Sequence, residues 1–392
     1  MDFYEENKEA EFLIIGAGPA GLIVGIQLAK LGIKAQIVDR NKQQVRPLCG
    51  EYLSPEGVNY IKRMGLDDCL DGFNHLLGMT IFSAGGIKVC TSFPENSYGL
   101  SLNRETFQTR LSKKFESLGG IIHYDNNLKD ILTHDNGFKV ITSKLKINTK
   151  YLIGADGRTS KVARILQFKT DLPGHKKVAI HCYLKSKKPL PPHGQMHILP
   201  NGSYVGINPI VQEEVNFSMV TDQQAIKAAG SPRELVNFWL RESSFLSDQF
   251  YPLTMEEIKT VVPITRKSAE IRKGNAVLIG DASGFIDPLT GEGITTAVKT
   301  AFMLCEEIEN GANVKEALLR YEYRRINDFI QKERLNKAFQ KLIYSKFGCE
   351  VLGLTLNLSK RLRNTFIGVI GNVYTPNEAL RLLVKLYLTE RF

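Results

Sequence analysis

The chain has 392 residues, of which 43% are hydrophobic and 23% charged, with 33 Gly and 15 Pro. This composition excludes a disordered chain, a collagen-like chain and a small disulfide-stapled domain, and it is typical of a globular protein with one large or several smaller domains. The net charge is +10, and the excess lies near the C-terminus, where residues 311–392 carry 15 Lys and Arg against 7 Asp and Glu.

Three kinds of feature are missing from the sequence. No apolar run reaches the roughly 20 residues of a membrane-spanning helix. The N-terminal stretch MDFYEENKEAEF is acidic and has no apolar signal core, so we expect a cytoplasmic protein. The six cysteines form no C-x-x-C pair, and His193 and His197 have no evident third ligand, so we expect free thiols and no bound metal.

The first predicted element is a strand-turn-helix-strand unit of about 30 residues, the length of a parallel crossover. An apolar run at 11–15 ends in a glycine-rich turn, a helix follows, and the strand at 35–39 ends in an acidic residue. The turn glycines let backbone approach a pyrophosphate, the helix N-terminus attracts phosphate, and the acidic residue can accept hydrogen bonds from ribose hydroxyls. We therefore predict dinucleotide binding at Gly16, Gly18, Ala20, Gly21, Asp39 and Arg40.

The next part of the chain is predicted to continue this fold. Ser54 and Asn103 are each placed to cap a helix, the second of which runs to about residue 118. A following strand ends in a second motif, Gly154-Ala-Asp156-Gly157, whose carboxylate can accept hydrogen bonds from ligand hydroxyls. Between the helix and this motif, strands are predicted at 121–124, 128–134 and 138–143.

Residues 170–265 change in character. They hold several alternating stretches, many Pro and Gly, and one predicted helix near 231–241, a pattern that indicates an antiparallel sheet inserted into the nucleotide fold. The α/β character then returns with a strand that ends in a third motif, Gly280-Asp281-Ala282. Pro288, Gly291 and Gly293 follow at the start of a helix, and residues 311–392 are predicted to be helical.

These three motifs, in this order, resemble the fingerprints of the para-hydroxybenzoate-hydroxylase-like FAD superfamily over residues 8–310. The resemblance implies FAD on a Rossmann-like α/β domain of the glutathione-reductase type, with an inserted antiparallel substrate sheet and a helical C-terminal region. It implies that the first motif holds the ADP half, that Asp281 binds the ribityl or pyrophosphate region, and that Gly291 and Gly293 lie near the isoalloxazine. Further contacts that it implies are Gly50, Arg104, Asp156, Gly157, Pro288 and Ile294.

Two branches of the superfamily compete. The segment Arg46-Pro-Leu-Cys49-Gly50-Glu51 and the segment 280–294 resemble geranylgeranyl-reductase-like flavoproteins. Aromatic hydroxylases usually carry Asn and Asp where this chain has Thr295 and Thr300. Against the reductase branch, its aromatic-rich substrate motif is only faintly echoed at 204–209, and Glu51 stands where the branch usually has a glycine.

Two residues of the first of these segments are candidates for chemistry. Cys49 resembles a residue that approaches the flavin in relatives, where its thiol would position or protonate the substrate; the alternative is a small buried apolar side chain. Glu51 is a candidate acid or base, and the alternative is a solvated or arginine-paired carboxylate.

The resemblance implies an FAD-dependent oxidoreductase that acts on a lipophilic small molecule, with hydride transfer from reduced flavin to an unsaturated, isoprenoid-like substrate. NAD(P)H or another donor would bind transiently, because the chain has no second G-x-G-x-x-G unit. The alternative is an FAD-dependent monooxygenase that hydroxylates an aromatic or polyketide-like substrate with NAD(P)H and O₂. A remote third hypothesis is a basic protein that binds nucleic acid. No recognition module in the sequence supports it, so we expect no nucleic-acid binding.

The basic C-terminal helices have three open roles. They can line a lipophilic cavity, touch an anionic membrane surface or simply pack on the core. The predicted segments of the whole chain are FAD-binding parts at 1–75, 101–169 and 266–310, substrate-sheet parts at 76–100 and 170–265, and the helical region 311–392.

Overall fold

The structure is a computed structural model that describes residues 5–46, 48–171, 177–211, 213–254, 257–343, 345, 347–375, 378–379 and 381–382. The predicted helical region extends to residue 392, so its last part, 383–392, lies outside the described residues.

The strands are β1 (Glu5–Ile15), β2 (Ala35–Val38), β3 (Tyr52–Leu53), β4 (Asn74–Leu76), β5 (Gly78–Phe82), β6 (Lys88–Ser92), β7 (Gly99–Ser101), β8 (Ile121–His123), β9 (Leu128–His134), β10 (Gly137–Thr142), β11 (Leu145–Gly154), β12 (Thr170–Asp171), β13 (Lys177–Lys185), β14 (His193–Ile198), β15 (Tyr204–Val211), β16 (Glu214–Asp222), β17 (Lys259–Val261), β18 (Lys267–Ser268), β19 (Arg272–Lys273) and β20 (Ala276–Leu278). The α-helices are α1 (Pro19–Lys30), α2 (Pro55–Arg63), α3 (Arg104–Ser117), α4 (Lys161–Ile165), α5 (Gln223–Ala229), α6 (Pro232–Glu242), α7 (Ser244–Gln249), α8 (Gly293–Asn310), α9 (Val314–Ile343), α10 (Gly348–Leu358) and α11 (Lys360–Ile370).

A parallel sheet organises the first part of the fold. Strands β20, β11, β1, β2 and β8 lie side by side in that order and run in the same direction. Residues 12–14 at its centre are fully buried, as a strand covered on both faces requires. Ile15, Gly154 and Leu278 are paired in register at the ends of their strands, so the three predicted turns leave the sheet at one edge.

A second sheet has the strand order β17-β13-β16-β15-β14-β5-β6 and is antiparallel except at β14–β5. One of its faces packs on α6 and α7 in a cluster that includes Phe217 and Trp239. The other face turns toward the Cys49 segment and the C-terminal helices. The predicted mixed α/β fold with an inserted antiparallel sheet and a helical C-terminal region is confirmed.

The helix content of the inserted segment differs from the prediction. One helix was expected near 231–241, whereas the described residues of the segment form three, α5, α6 and α7. Helix α5 has only seven residues, and its apolar face consists of the partly buried Ala225, Ile226 and Ala229, which is too short a pattern for periodicity to detect. Gly230, with φ of +92°, separates α5 from α6, and Ser231 caps α6 by accepting from the Glu234 amide.

The limits of the predicted segments remain a proposal. The strand pairing supports the grouping of 76–100 with 170–265, because β5 and β6 of the first segment join the sheet of the second. Helices α10 and α11 lie against β6 of that sheet, and α9 packs on α8.

Within the described part of the chain, no helix combines the length and the apolar content that crossing a bilayer requires.

Candidate active site

The three glycine-and-aspartate turns lie in contact with one another. The Ala155 amide of the second turn donates to the Ile15 carbonyl at 2.8 Å, and the Ile279 amide of the third donates to the Gly154 carbonyl at 2.9 Å. A Cβ at Gly280 would lie 3.2 Å from the Cβ of Ala20. The parallel sheet therefore brings together turns that are separated by more than a hundred residues of sequence.

Gly16 and Gly18 meet different constraints in the first turn. Gly16 has φ of +111°, and a Cβ there would lie 2.4 Å from the Ala155 carbonyl oxygen. A Cβ on Gly18 would have nothing within 4 Å, so this residue leaves open space at the start of α1. The first glycine is needed for the fold, and the second keeps the helix N-terminus accessible to a ligand.

A cleft of about 840 Å³, open to solvent, lies in front of the first two turns. The structure brings a set of the predicted cofactor residues together in its lining: Gly16, Gly18, Asp39, Arg40, Arg104, Asp156 and Gly157.

Two carboxylates in this cleft have different surroundings. Asp39 accepts from the Ala17 and Asn41 amides, at 2.7 Å each, and is only partly buried. The Oδ2 atom of Asp156 accepts from the Lys161 and Val162 amides, while Oδ1 is buried and has no hydrogen-bond partner. Burial raises the pKa of Asp156, against the opposing effect of these hydrogen bonds. An unpartnered buried acceptor in a polar cleft fits a ligand that brings hydroxyl donors.

The third turn is held from three sides. Asp281 is paired with Arg158 of the second motif at 3.3 Å. The fully buried Arg325 on α9 donates to the Ser283 hydroxyl and the Gly284 carbonyl, both at 3.1 Å. The Gly280 amide donates to the Thr300 hydroxyl at 2.9 Å, which gives a structural role to one of the two threonines that depart from the hydroxylase pattern.

Other predicted residues lie outside the cleft lining. A Cβ at Gly21 would meet the Gly16 carbonyl at 2.0 Å, so Gly21 lets helix and strand pack closely. Ile294 is buried in the core, and Gly291 faces Tyr52, whose ring a Cβ would approach to 2.8 Å. Their contacts to a cofactor, and those of Ala20, Asp281, Pro288 and Gly293, stay a prediction.

The Cys49-Gly50-Glu51 segment is pinned to the second sheet. The Asn216 side chain donates to the Cys49 carbonyl at 2.7 Å, and that of Asn208 donates to the Gly50 carbonyl at 2.6 Å. The Cys49 side chain is partly exposed, and its Sγ accepts from the Glu51 amide at 3.3 Å. Sequence reasoning gave these two asparagines no role, although an amide side chain within an apolar strand is a signal that could have found them.

Glu51 is fully buried and has φ of +51°. Its carboxylate accepts two hydrogen bonds from the Arg46 side chain, one from the Arg104 amide and one from Asn216. Because its acceptors are already used by this chain, the carboxylate is poorly placed to exchange a proton with a substrate. This geometry favours the alternative of an arginine-paired carboxylate over that of an acid or base. We therefore propose that Glu51 is a positioning residue.

One face of the second sheet grades from polar to apolar. The strand register places six residues in a single row across β13, β16, β15, β14, β5 and β6. Residues paired in register project to the same face. In order across the sheet, the row is His181, Ser218, Gly206, Met196, Ile81 and Val89.

The apolar end of this row opens on a cavity with an almost entirely apolar lining, whose empty space is about 530 Å³ when its mouth, open to solvent, is included. Its walls come from the sheet, from α9, α10 and α11, and from the turn at Leu289 and Thr290 that precedes Gly291. The Tyr204 hydroxyl donates to Asp287 and so ties β15 to this turn. Within the described residues, no cluster of three His, Cys, Asp or Glu side chains is suited to hold a metal ion.

Comparison with known proteins gives relatives along nearly the whole chain. It is 25% identical to menaquinone reductase of Mycolicibacterium smegmatis, over 95% of this chain and 94% of the relative. It is 24% identical to digeranylgeranylglycerophospholipid reductase of Methanosarcina acetivorans, over 92% and 85% of the two chains. The solved structure of the flavin-dependent brominase Bmp2 superposes with a TM-score of 0.80 at 17% identity, over 98% and 100% of the two chains.

The cleft fits the cofactor that this fold carries in relatives. Gly18 leaves the N-terminus of α1 open for a pyrophosphate, and Asp39 and the unpartnered Oδ1 of Asp156 can accept from hydroxyl groups. Residues 9–331, most of the chain, match the family model described as FAD binding domain. The chain belongs to this FAD-binding family and is an FAD-dependent oxidoreductase.

Proposed function

We propose that this oxidoreductase is a reductase that adds hydrogen across a carbon–carbon double bond of a lipophilic, isoprenoid-like substrate. The observation that carries the proposal is the apolar cavity, because one of its walls is the Leu289–Thr290 turn beside the predicted flavin contacts Gly291 and Gly293. The names of two full-length relatives, reductases of menaquinone and of a digeranylgeranyl glycerophospholipid, support a prenylated lipid as the substrate class.

When bound, FAD supplies the two-electron chemistry, taking electrons from a donor such as NAD(P)H and delivering a hydride to one alkene carbon. The other alkene carbon then needs a proton. Cys49 is our candidate to position the substrate or to supply that proton, since its thiol is partly exposed and its segment is fixed by Asn208 and Asn216.

The graded face of the sheet supports one orientation of such a substrate. A polar headgroup would lie beside Ser218 and the Cys49 segment, because His181 itself is buried and hydrogen-bonded to Asn216. An isoprenoid chain would cross Gly206 and continue toward Met196 and Ile81 at the cavity wall. Matching polar with polar and apolar with apolar surface avoids burying unpaired polar groups.

Anaerobic turnover tests the proposal. FAD-loaded protein is reduced with NADPH or dithionite and mixed, without O₂, with menaquinone or a geranylgeranyl lipid in detergent, and the product is analysed by mass spectrometry. We expect the flavin absorbance to return and the product to gain two hydrogen atoms per turnover, a gain that persists after air has oxidised any quinol back to the quinone. A protein that turns over only in air, with a product heavier by one oxygen atom, would instead be the monooxygenase.

A further inference from the structure

We propose that helix α10 rests on the surface of an anionic phospholipid bilayer, with its outer face in the membrane interface. The proposal deepens the proposed function, because it supplies the route by which a lipid-dissolved substrate reaches the apolar cavity. It stands on the two faces of α10 and on the charges around them.

The outer face of α10 is an exposed apolar stripe. Phe347, Val351, Leu354 and Leu358 are 72%, 60%, 59% and 86% exposed. Their spacing of four, three and four residues places them on one side of a helix. We call these four residues the outer stripe. A contiguous group of large apolar side chains turned to solvent marks an interaction surface.

The opposite face of the same helix lines the apolar cavity. The residues that do so are Cys349, Leu352, Gly353 and Leu356. Helix α10 is therefore apolar on both sides, a pattern found in helices surrounded by apolar material rather than at a boundary with water. The cavity accounts for the inner side, and the outer stripe needs apolar surroundings of its own.

The charges near α10 favour an anionic lipid surface. Glu350 is the single charged residue of the helix, and its carboxylate accepts from the Ser83 hydroxyl and the Gly85 amide, both at 2.6 Å, which turns it toward the protein. Lys360 and Arg361, the first two residues of α11, lie just beyond the end of α10 and are exposed. Basic side chains beside an apolar helix face are typical of helices that lie in the interface of anionic membranes.

A second copy of the chain fits this face less well. Stable interfaces between proteins bury on the order of 1,200–2,000 Å², and one face of an 11-residue helix supplies only a small part of that. A membrane needs no matching surface, so the short stripe is sufficient for it. A substrate dissolved in that membrane would meet α10 first, and the cavity lies directly behind the helix.

Co-sedimentation with vesicles tests the proposal. FAD-loaded protein is mixed with vesicles of phosphatidylglycerol and phosphatidylcholine (1:1) or of phosphatidylcholine alone. Wild type should bind the anionic vesicles, and Leu354→Asp with Leu358→Asp should weaken binding at least tenfold. Leu319→Asp, which changes a 52% exposed leucine of α9, should bind like wild type. Lys360→Glu with Arg361→Glu should weaken binding at least fivefold and only on anionic vesicles.

Three results would overturn the proposal. Wild type could fail to bind either kind of vesicle, or the outer-stripe variant, Leu354→Asp with Leu358→Asp, could bind like wild type. Light scattering could also show that wild type is a dimer and that the outer-stripe variant is a monomer. The activity of the outer-stripe variant separates this proposal from the reductase proposal. This variant should reduce a short, water-soluble prenyl substrate at the wild-type rate. Its rate on a substrate embedded in vesicles should be at least tenfold below that of wild type. Wild type that binds vesicles without reducing either substrate would reject the reductase and leave the membrane contact standing.

Discussion

The Arg46 guanidinium and the Glu51 carboxylate face each other through two parallel hydrogen bonds of 2.9 Å each. Glu51 is fully buried, whereas the Arg46 side chain is 25% exposed and also lies 3.8 Å above the centre of the Tyr183 ring. The pair fixes the start and the end of the segment that carries Cys49, so we expect its loss to act on both stability and the position of the thiol.

The two halves of this pair should not be equivalent. Arg46→Met leaves a carboxylate buried without its cation and should lower the free energy of unfolding by about 3–5 kcal/mol. Glu51→Gln leaves a partly hydrated arginine and should cost less. Urea unfolding measures both. Asp68→Asn, which breaks the exposed pair with Lys114, is the matched control and should cost about 1 kcal/mol or less. Equal losses of unfolding free energy in all three variants would contradict the view that the Arg46–Glu51 pair is a buried pair that stabilises the fold.

Gly16 and Gly18 should separate folding from cofactor binding. Gly16→Ala places a methyl group 2.4 Å from the Ala155 carbonyl at a positive φ and should reduce stability by several kcal/mol, on the order of other strained substitutions. Gly18→Ala meets no protein atom within 4 Å and should unfold at the wild-type urea concentration. Its methyl group takes the space beside the helix N-terminus, so FAD affinity should fall at least tenfold in a fluorescence titration. Unchanged FAD affinity would show that the pyrophosphate does not bind at this turn.

Cys49 should affect turnover without affecting FAD content. Cys49→Ala removes the thiol from a partly exposed site and leaves the carbonyl contact to Asn216 in place. We expect kcat to fall about tenfold or more, by loss of proton supply or substrate positioning, with the ratio of FAD to protein unchanged in the absorbance spectrum. Cys69→Ala, in a buried position, is the control for thiol removal alone. Wild-type turnover in Cys49→Ala would make the thiol a packing residue.

Gly206 should control how far a long substrate reaches across the sheet. It lies in the middle of the graded row, and a Cβ there would meet only the Ser218 carbonyl, at 3.9 Å. A Cβ is therefore tolerated at this position, and the longer side chain of Gly206→Leu extends over the face between the Cys49 segment and the cavity. We expect KM for a long prenyl substrate to rise at least tenfold, with smaller effects on a short one and on FAD content. Gly206→Ala is the matched control, and equal KM values for the two variants would contradict the path.

Two buried histidines should make the fold sensitive to mild acid. Burial lowers the pKa of His181 to about 4 and that of His197 to about 3, below the value of about 6.5 in an unfolded chain. Their contribution is fully present above pH 6.5 and is lost as the pH falls toward the folded-state values, because the unfolded chain then binds more protons. Between pH 7 and pH 5 this loss is about 2 kcal/mol for each histidine. Urea unfolding at the two pH values measures it, and His197→Gln should show a smaller difference than wild type.

The amino-acid sequence by itself determined the three turns and their order. Gly16, Asp156 and Asp281 each follow the apolar end of a strand, and such signals depend only on neighbours a few residues away. The parallel arrangement also followed from the sequence, since a strand-helix-strand unit of about 30 residues has few other ways to fold. The convergence of the turns at one sheet edge is the consequence.

Only the tertiary structure decided what surrounds Cys49. The Glu51 carboxylate meets Arg46, Arg104 and Asn216, which are up to 165 residues away, and no local pattern marks that meeting. The polar-to-apolar row depends on the register of six strands, in which a shift by one residue would turn each side chain to the other face. Local spacing fixes local geometry, whereas pairing between distant strands is settled by the packing of the whole sheet, and that packing shapes the substrate site.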